Sequence, residues 1–299
     1  MPSFRHEALT RIVPVLRRSG EVHGAEEVAR LRADILARQA QHDDAAPKRI
    51  ARRFDVAGAE VSGMPVHELR LPGTSPRRTV LYVHGGGFVG GLDGFHWRYA
   101  ARLATRLGVR VLLPGYPLTP THTWADAVPP LVELFGQAAV DSERGVVLMG
   151  DSSGGGLAML LAQTVARGSG PQPTHLVMIS PWLDLTGETP GTEEAARVDR
   201  WLNLTKLKVY GAWWGAGDPP DKEASPLANS LDGLPPMLVL CGTHDLLVPQ
   251  SRALAERARA EGADLVYVEE PGLMHVYPIL PVPEARPAFE TITSFVGAG

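Results

Sequence analysis

The run Val146-Val147-Leu148-Met149-Gly150-Asp151-Ser152-Ser153-Gly154-Gly155 sets four apolar residues before a serine bracketed by glycines. It continues into Gly156-Leu157-Ala158-Met159-Leu160-Leu161-Ala162, which reads as a buried helix. Strand, sharp turn and helix are the setting of a nucleophile elbow, and Gly150-x-Ser152-x-Gly154 has its spacing. Only one reading frame fits. For Ser153 to be central, glycine would be needed at position 151, where Asp151 stands. A Cβ two residues before or after the serine would clash with the neighbouring strand or helix, so glycine is required there. The bend is expected to lift the Ser152 hydroxyl above the sheet edge and to aim the Ser153 N–H at the same spot. The helix N-terminus there favours developing negative charge.

A second glycine turn lies upstream. The strand Val80-Leu81-Tyr82-Val83 runs into His84-Gly85-Gly86-Gly87-Phe88. Such an HGGG turn is the usual oxyanion partner of an elbow. The N–H groups of Gly86, Gly87 and Ser153 are the expected donors, and losing one such donor typically slows turnover about a hundred- to a thousandfold. His84 is read as shaping the loop through its side chain.

Around these turns, strands and helices alternate. Helical periodicity covers 22–42, with Val28, Leu31, Ile35 and Leu36 on one face. Strands are expected at Val66 to Leu71, Arg78 to Val83, Val109 to Leu113, Val146 to Met149, His175 to Ser180, Met237 to Cys241 and Leu265 to Val268. Helices are expected at Phe95 to Leu107, Trp124 to Ala139, Gln250 to Ala260 and Ala288 to Phe295. Near-continuous apolar strands alternating with helices predict an α/β fold with a buried, mostly parallel sheet. Ligands in such sheets sit beyond the carboxyl ends of the strands, where both glycine turns fall. From about Thr186 to Ser230 the strand signal stops while Trp201, Tyr210, Trp213 and Trp214 cluster. This stretch reads as an inserted helical lid. Phe88, Trp201, Trp213 and Trp214 are the expected substrate-pocket residues, with core packing as the competing reading for each.

A serine hydroxyl needs a general base, and the base needs an orienting carboxylate. In this kind of fold the chain order is Ser, Asp/Glu, His. Three histidines follow Ser152: His175, His244 and His275. His175 opens a strand, at the wrong end of the sheet, and His244 immediately precedes the best acid. His275 remains, in a loop after the last strand. Among the carboxylates, Asp184, Asp199, Asp218, Asp221 and Asp232 fall before or within the lid, and Asp264 precedes its strand. Asp245 follows the strand ending at Cys241 and is the expected acid.

Composition bounds the rest. The chain has 299 residues, 44% of them hydrophobic and 21% charged, as in an ordinary globular protein of one large domain or two small ones. A net charge of −4 leaves no footprint for nucleic acid. Arg11, Arg17, Arg18, Arg30, Arg32 and Arg38 are interspersed with acidic residues, which describes a solvated helical face. The single cysteine, Cys241, lies in an apolar run and reads as a buried structural thiol. No apolar run reaches membrane-spanning length, and the N-terminus lacks the apolar core of a signal peptide. A cytoplasmic protein without metal or cofactor is expected.

Taken together, the motifs resemble those of the bacterial hormone-sensitive-lipase-like esterases of the α/β-hydrolase superfamily. The matching pieces are His84 to Phe88, Gly150 to Gly155, Ser180-Pro181-Trp182-Leu183-Asp184-Leu185-Thr186, and Gly242 to Leu247 followed by His275. Two departures stand out. Ser153 replaces the family's usual alanine, and Tyr116-Pro117-Leu118-Thr119-Pro120-Thr121 lacks the Arg and Glu often found there. The resemblance implies N-terminal cap helices over residues 1–45, and a catalytic α/β-hydrolase domain over 46–299 with the lid at about 186–230. It also implies hydrolysis of a small-molecule ester of short acyl chain, or of a lactone. Amide deacetylation, acyl transfer and a non-catalytic receptor are the alternatives, and a homodimer stays open.

Overall fold

The computed structural model describes residues 2–17 and 20–297. Arg18 and the side chain of Arg17, counted above among the N-terminal arginines, lie outside the described residues. Among the described residues, eight strands form one sheet: β1 (Asp55–Val61), β2 (Met64–Arg70), β3 (Thr79–Val83), β4 (Arg110–Pro114), β5 (Val146–Asp151), β6 (His175–Ile179), β7 (Met237–His244) and β8 (Leu265–Met274). Their order is β1-β2-β4-β3-β5-β6-β7-β8. The β1/β2 and β2/β4 pairs are antiparallel, and all the others are parallel.

The helices are α1 (Phe4–Arg17), α2 (Gly24–Gln41), α3 (Lys48–Ala51), α4 (Gly94–Leu107), α5 (Trp124–Val140), α6 (Ser153–Ala166), α7 (Thr192–Val198), α8 (Leu204–Trp214), α9 (Val248–Glu261) and α10 (Ala285–Gly297). The strand pleat divides the core between two faces. Leu81, Val83, Leu148, Met178 and Val239 pack with α5, α6 and α9. Their neighbours Val80, Tyr82, Val147, Met149, Val177 and Leu238 pack with α4 and α10. Burial on both faces accounts for the unbroken apolar runs of β3, β5 and β6. Among the described residues, no helix is long and apolar enough to cross a membrane.

Strands β1 and β8 differ most from the sequence expectation. β1 was not expected. It is an edge strand with six of its seven residues at least partly exposed, so it carries no apolar run to read. β8 continues past Val268 to Met274, through Pro271 and Gly272, with a register shift against Gly242 and His244 of β7. This irregular extension carries the chain directly to His275.

Candidate active site

The sheet order reverses between β3 and β5, since β4 follows β3 to one side while β5 lies on the other. A crevice opens at the carboxyl ends of strands at such a switch point. Both glycine turns lead out of these two strands. Ser152, at the turn from β5 into α6, has φ 53° and ψ −126°, a strained conformation for a residue with a Cβ. The bend is held by Ser152 N–H donating to Ile179 O at 2.8 Å and Trp182 N–H donating to Ser152 O at 2.9 Å. A Cβ on Gly150 would meet the Gly154 carbonyl, and one on Gly154 would meet the carbonyls of Val83 and His84. Two of the six described non-glycine residues with positive φ, Ser152 and Val276, line this crevice.

Ser152, His275 and Asp245 come together here from three strand ends. Ser152 Oγ lies 2.9 Å from His275 Nε2, and His275 Nδ1 lies 3.0 Å from Asp245 Oδ2. Asp245 Oδ1 accepts the Leu247 N–H at 2.9 Å, so the carboxylate is held at both oxygens. An Nδ1–H facing Asp245 leaves the Nε2 lone pair for the serine proton. Asp245 is fully buried, His275 is 2% exposed and Ser152 9%. Burial disfavours the imidazolium. The charge and hydrogen bond of Asp245, with Asp199 and Asp151 beyond it, outweigh that and raise the His275 pKa. Val276 N–H donates to Ser180 Oγ at 3.0 Å, which ties the histidine loop to the end of β6.

Gly86 and Gly87 have φ +125° and +66°, which glycine alone adopts freely. Among the described residues, no group accepts a hydrogen bond from the N–H of Gly86, Gly87 or Ser153. Beneath this loop runs a buried polar network. Asp151 Oδ1 accepts Tyr82 Oη–H at 2.7 Å and Gly85 N–H at 3.1 Å, and lies 3.6 Å from His96 Nε2. His96 Nδ1 accepts the Asp93 N–H at 3.0 Å, which leaves its proton on Nε2, facing Asp151. Burial alone would raise the Asp151 pKa; His96 and the Tyr82 and Gly85 hydrogen bonds reverse this and hold it below the usual carboxylate value. His84 Nδ1–H donates to Gly85 O at 2.8 Å, and its ring stacks on Tyr116 at 4.4 Å. Burial and the neighbouring His96 push the His84 pKa down to about 4, so it is a neutral structural ring.

A cavity of about 330 Å³ opens over Ser152. Its walls come from the end of α2 (Arg38, Gln39, His42), the glycine turn (Gly85–Gly87, Val89–Gly91), the start of α4 and the segment after His275 (Val276, Ile279, Leu280). Trp201 and Leu202 add to them, as do Asn203, which caps α8, and Lys206, Leu207 and Tyr210 on one face of that helix. Of the four expected pocket residues, only Trp201 lines this cavity; its ring stands edge-on to His275, centroids 5.4 Å apart. Phe88 and Trp214 are a correction. They stack on each other at 4.0 Å and 4° inside the core, where each is at most 2% exposed. Trp213 is also outside the lining and leans on Tyr210. Asn203, Lys206, Leu207 and Tyr210 are not among the expected pocket residues, although their i, i+3, i+4, i+7 spacing is a helical stripe. The α2 residues have no motif and meet the site only through tertiary packing.

The segment 80–279 matches the family model described as alpha/beta hydrolase fold. An acetyl-hydrolase of Streptomyces hygroscopicus is 32% identical over 237 residues, covering 75% of this chain and 77% of that one. An esterase of Acinetobacter venetianus is 27% identical, covering 74% and 75%. The crystal structure of an esterase from the bacterial hormone-sensitive lipase family superposes with a TM-score of 0.79 at 26% identity, covering 99% and 98%. The chain belongs to the α/β-hydrolase fold family and, within it, to the bacterial hormone-sensitive-lipase-type esterases. Its class is that of a serine carboxylesterase.

Proposed function

We propose that this enzyme hydrolyses small carboxylic esters of short acyl chain through an acyl-enzyme on Ser152. The observation that carries this reading is the chain of contacts from Ser152 Oγ through His275 to Asp245, at 2.9 and 3.0 Å. Ser152 Oγ attacks the ester carbonyl as His275 takes its proton, and the N–H groups of Gly86, Gly87 and Ser153 receive the oxyanion. His275 then protonates the leaving alcohol. Water, deprotonated by the same imidazole, releases the acid. Asp245 holds the tautomer and stabilises the imidazolium. The acetyl-hydrolase name of the Streptomyces relative favours short acyl groups. Residues 1–45 and the segment around 186–230 act as the cap, since α2 and α8 both contribute walls of the cavity.

Turnover of a p-nitrophenyl ester series from acetate upward tests the proposal, using wild type and Ser152→Ala. Activity that declines with chain length and falls about 10⁴-fold or more in the variant is expected. Comparable activity in both proteins would sink it. Running lactones, amides and an acceptor alcohol beside the esters separates ring opening, deacetylation and acyl transfer on the same serine.

A further inference from the structure

Asp199 is a buried carboxylate that the hydrolytic chemistry does not use. It follows α7 and lies beside the acid loop. One oxygen, Oδ2, accepts the N–H of Leu246, the residue next to Asp245, at 2.7 Å. The other, Oδ1, accepts the N–H groups of Trp201 and Leu202 at 2.6 and 2.9 Å. Trp201 and Leu202 line the cavity, and the Trp201 ring stands edge-on to His275. The two oxygens therefore join the acid loop to the pocket wall that abuts the catalytic imidazole.

Placing a second carboxylate here is costly. Burial and the nearby charge of Asp245 push the Asp199 pKa up to about 6, while His275 and the N–H groups of Leu246 and Leu202 oppose the rise. An isosteric amide could make a local turn with Trp201 and Leu202 without that cost. It would not accept the Leu246 N–H at the same time, since one of its two acceptors becomes a donor.

On the hydrolase reading above, we infer that Asp199 is a positioning residue: it locks the Asp245 loop to the Trp201–Leu202 wall and adds a second negative charge behind His275. The charged and titratable groups around His275 are Asp245 after β7, Asp199 and, at the end of β5, Asp151. From α1, His6 accepts the Met274 N–H, with His244 and Glu284 near it. Negative charge at Asp199 favours the imidazolium, so its removal lowers the His275 pKa.

The test is Asp199→Asn, with steady-state kinetics and the pH dependence of Ser152 sulfonylation by phenylmethanesulfonyl fluoride. The sulfonylation rate reads the basicity of His275 without an ester substrate. The expected result is kcat down about tenfold, with a smaller rise in KM, as for a slightly misplaced base. The acidic limb of both profiles should move to lower pH by about half a unit or more. A variant that loses only thermal stability, with limbs and kcat per titrated active site unchanged, overturns the inference. Hydrogen exchange on the wild type gives a second readout that needs no variant. The amides of Trp201, Leu202 and Leu246 should open with one common free energy, and independent opening of Leu246 also overturns the proposal. Failure of the esterase reading looks different: it appears as turnover that survives Ser152→Ala, whatever happens at position 199.

Discussion

At the scale of single residues, the site depends on positions where no other side chain fits. Gly154 is one, because a Cβ there would enter the carbonyl groups of Val83 and His84 on the neighbouring strand. Backbone cannot step aside as a flexible side chain can. Gly154→Ala is therefore expected to cost more than about 3 kcal/mol, measured by denaturant unfolding. An unchanged midpoint would contradict the packing described for the elbow. His275 sets a second expectation. In the proposed mechanism it acts as a base only when neutral, and its pKa is raised by Asp245. As pH falls the imidazole protonates, so kcat/KM should decline through a value above the free imidazole's, about 6.5. The measurement is a pH–rate profile with a neutral ester, and an acidic limb below the free value would refute it.

At the scale of elements, α2 is attached to the loops beside the glycine turn by a few polar contacts. Gln39, near the end of α2, donates from Nε2 to Val89 O at 3.0 Å and to Thr119 O at 2.8 Å. Asp44, just beyond α2, accepts the Leu92 N–H at 2.8 Å. Only Ile35 of α2 is fully buried, so apolar packing contributes little to holding this helix. Gln39→Ala leaves two carbonyls without their donor. It should cost about 1–2 kcal/mol in unfolding experiments and raise KM more than it lowers kcat. On α8, the Tyr210 ring faces Gly87, as close as 3.2 Å from where a Cβ on that glycine would sit. Tyr210→Ala enlarges the cavity on that side. The ratio of kcat/KM for octanoate to that for acetate should rise about tenfold, and a flat ratio would place the acyl chain elsewhere.

At the scale of the whole molecule, the buried network under the glycine turn links acid stability to the site. Asp151 has a folded pKa below its ordinary value, because His96, Tyr82 and Gly85 outweigh the effect of burial. Its stabilising contribution is complete above the unfolded value, about 3.9, and is lost as pH falls through the lower folded value. Melting temperature should therefore drop steeply below about pH 4 in the wild type. In Asp151→Asn the curve should start lower at neutral pH and fall less on acidification. Parallel curves for the two proteins would mean that Asp151 contributes nothing to acid sensitivity.

Much of this molecule was legible in its linear order. The elbow, the HGGG turn, Asp245 and His275 each follow an apolar strand, and a parallel sheet brings such strand ends to one edge whatever the intervening loops do. Local chemistry and chain order are enough for that inference. The edge strand β1 escaped because exposed residues leave no hydrophobic period, and β8 was shortened because Pro271 and Gly272 interrupt its pattern. The pocket lining leaves little trace in the sequence. Aromatic residues such as Phe88 and Trp214 look alike in sequence whether they stack in a core or line a cavity, and only the position of α8 against the sheet separates the two. Asp199 marks the same boundary. Nothing local distinguishes it from the other carboxylates between Ser152 and His275. Its place beside Asp245 comes from folding the segment after α7 back onto the acid loop, a long-range contact that no periodicity encodes.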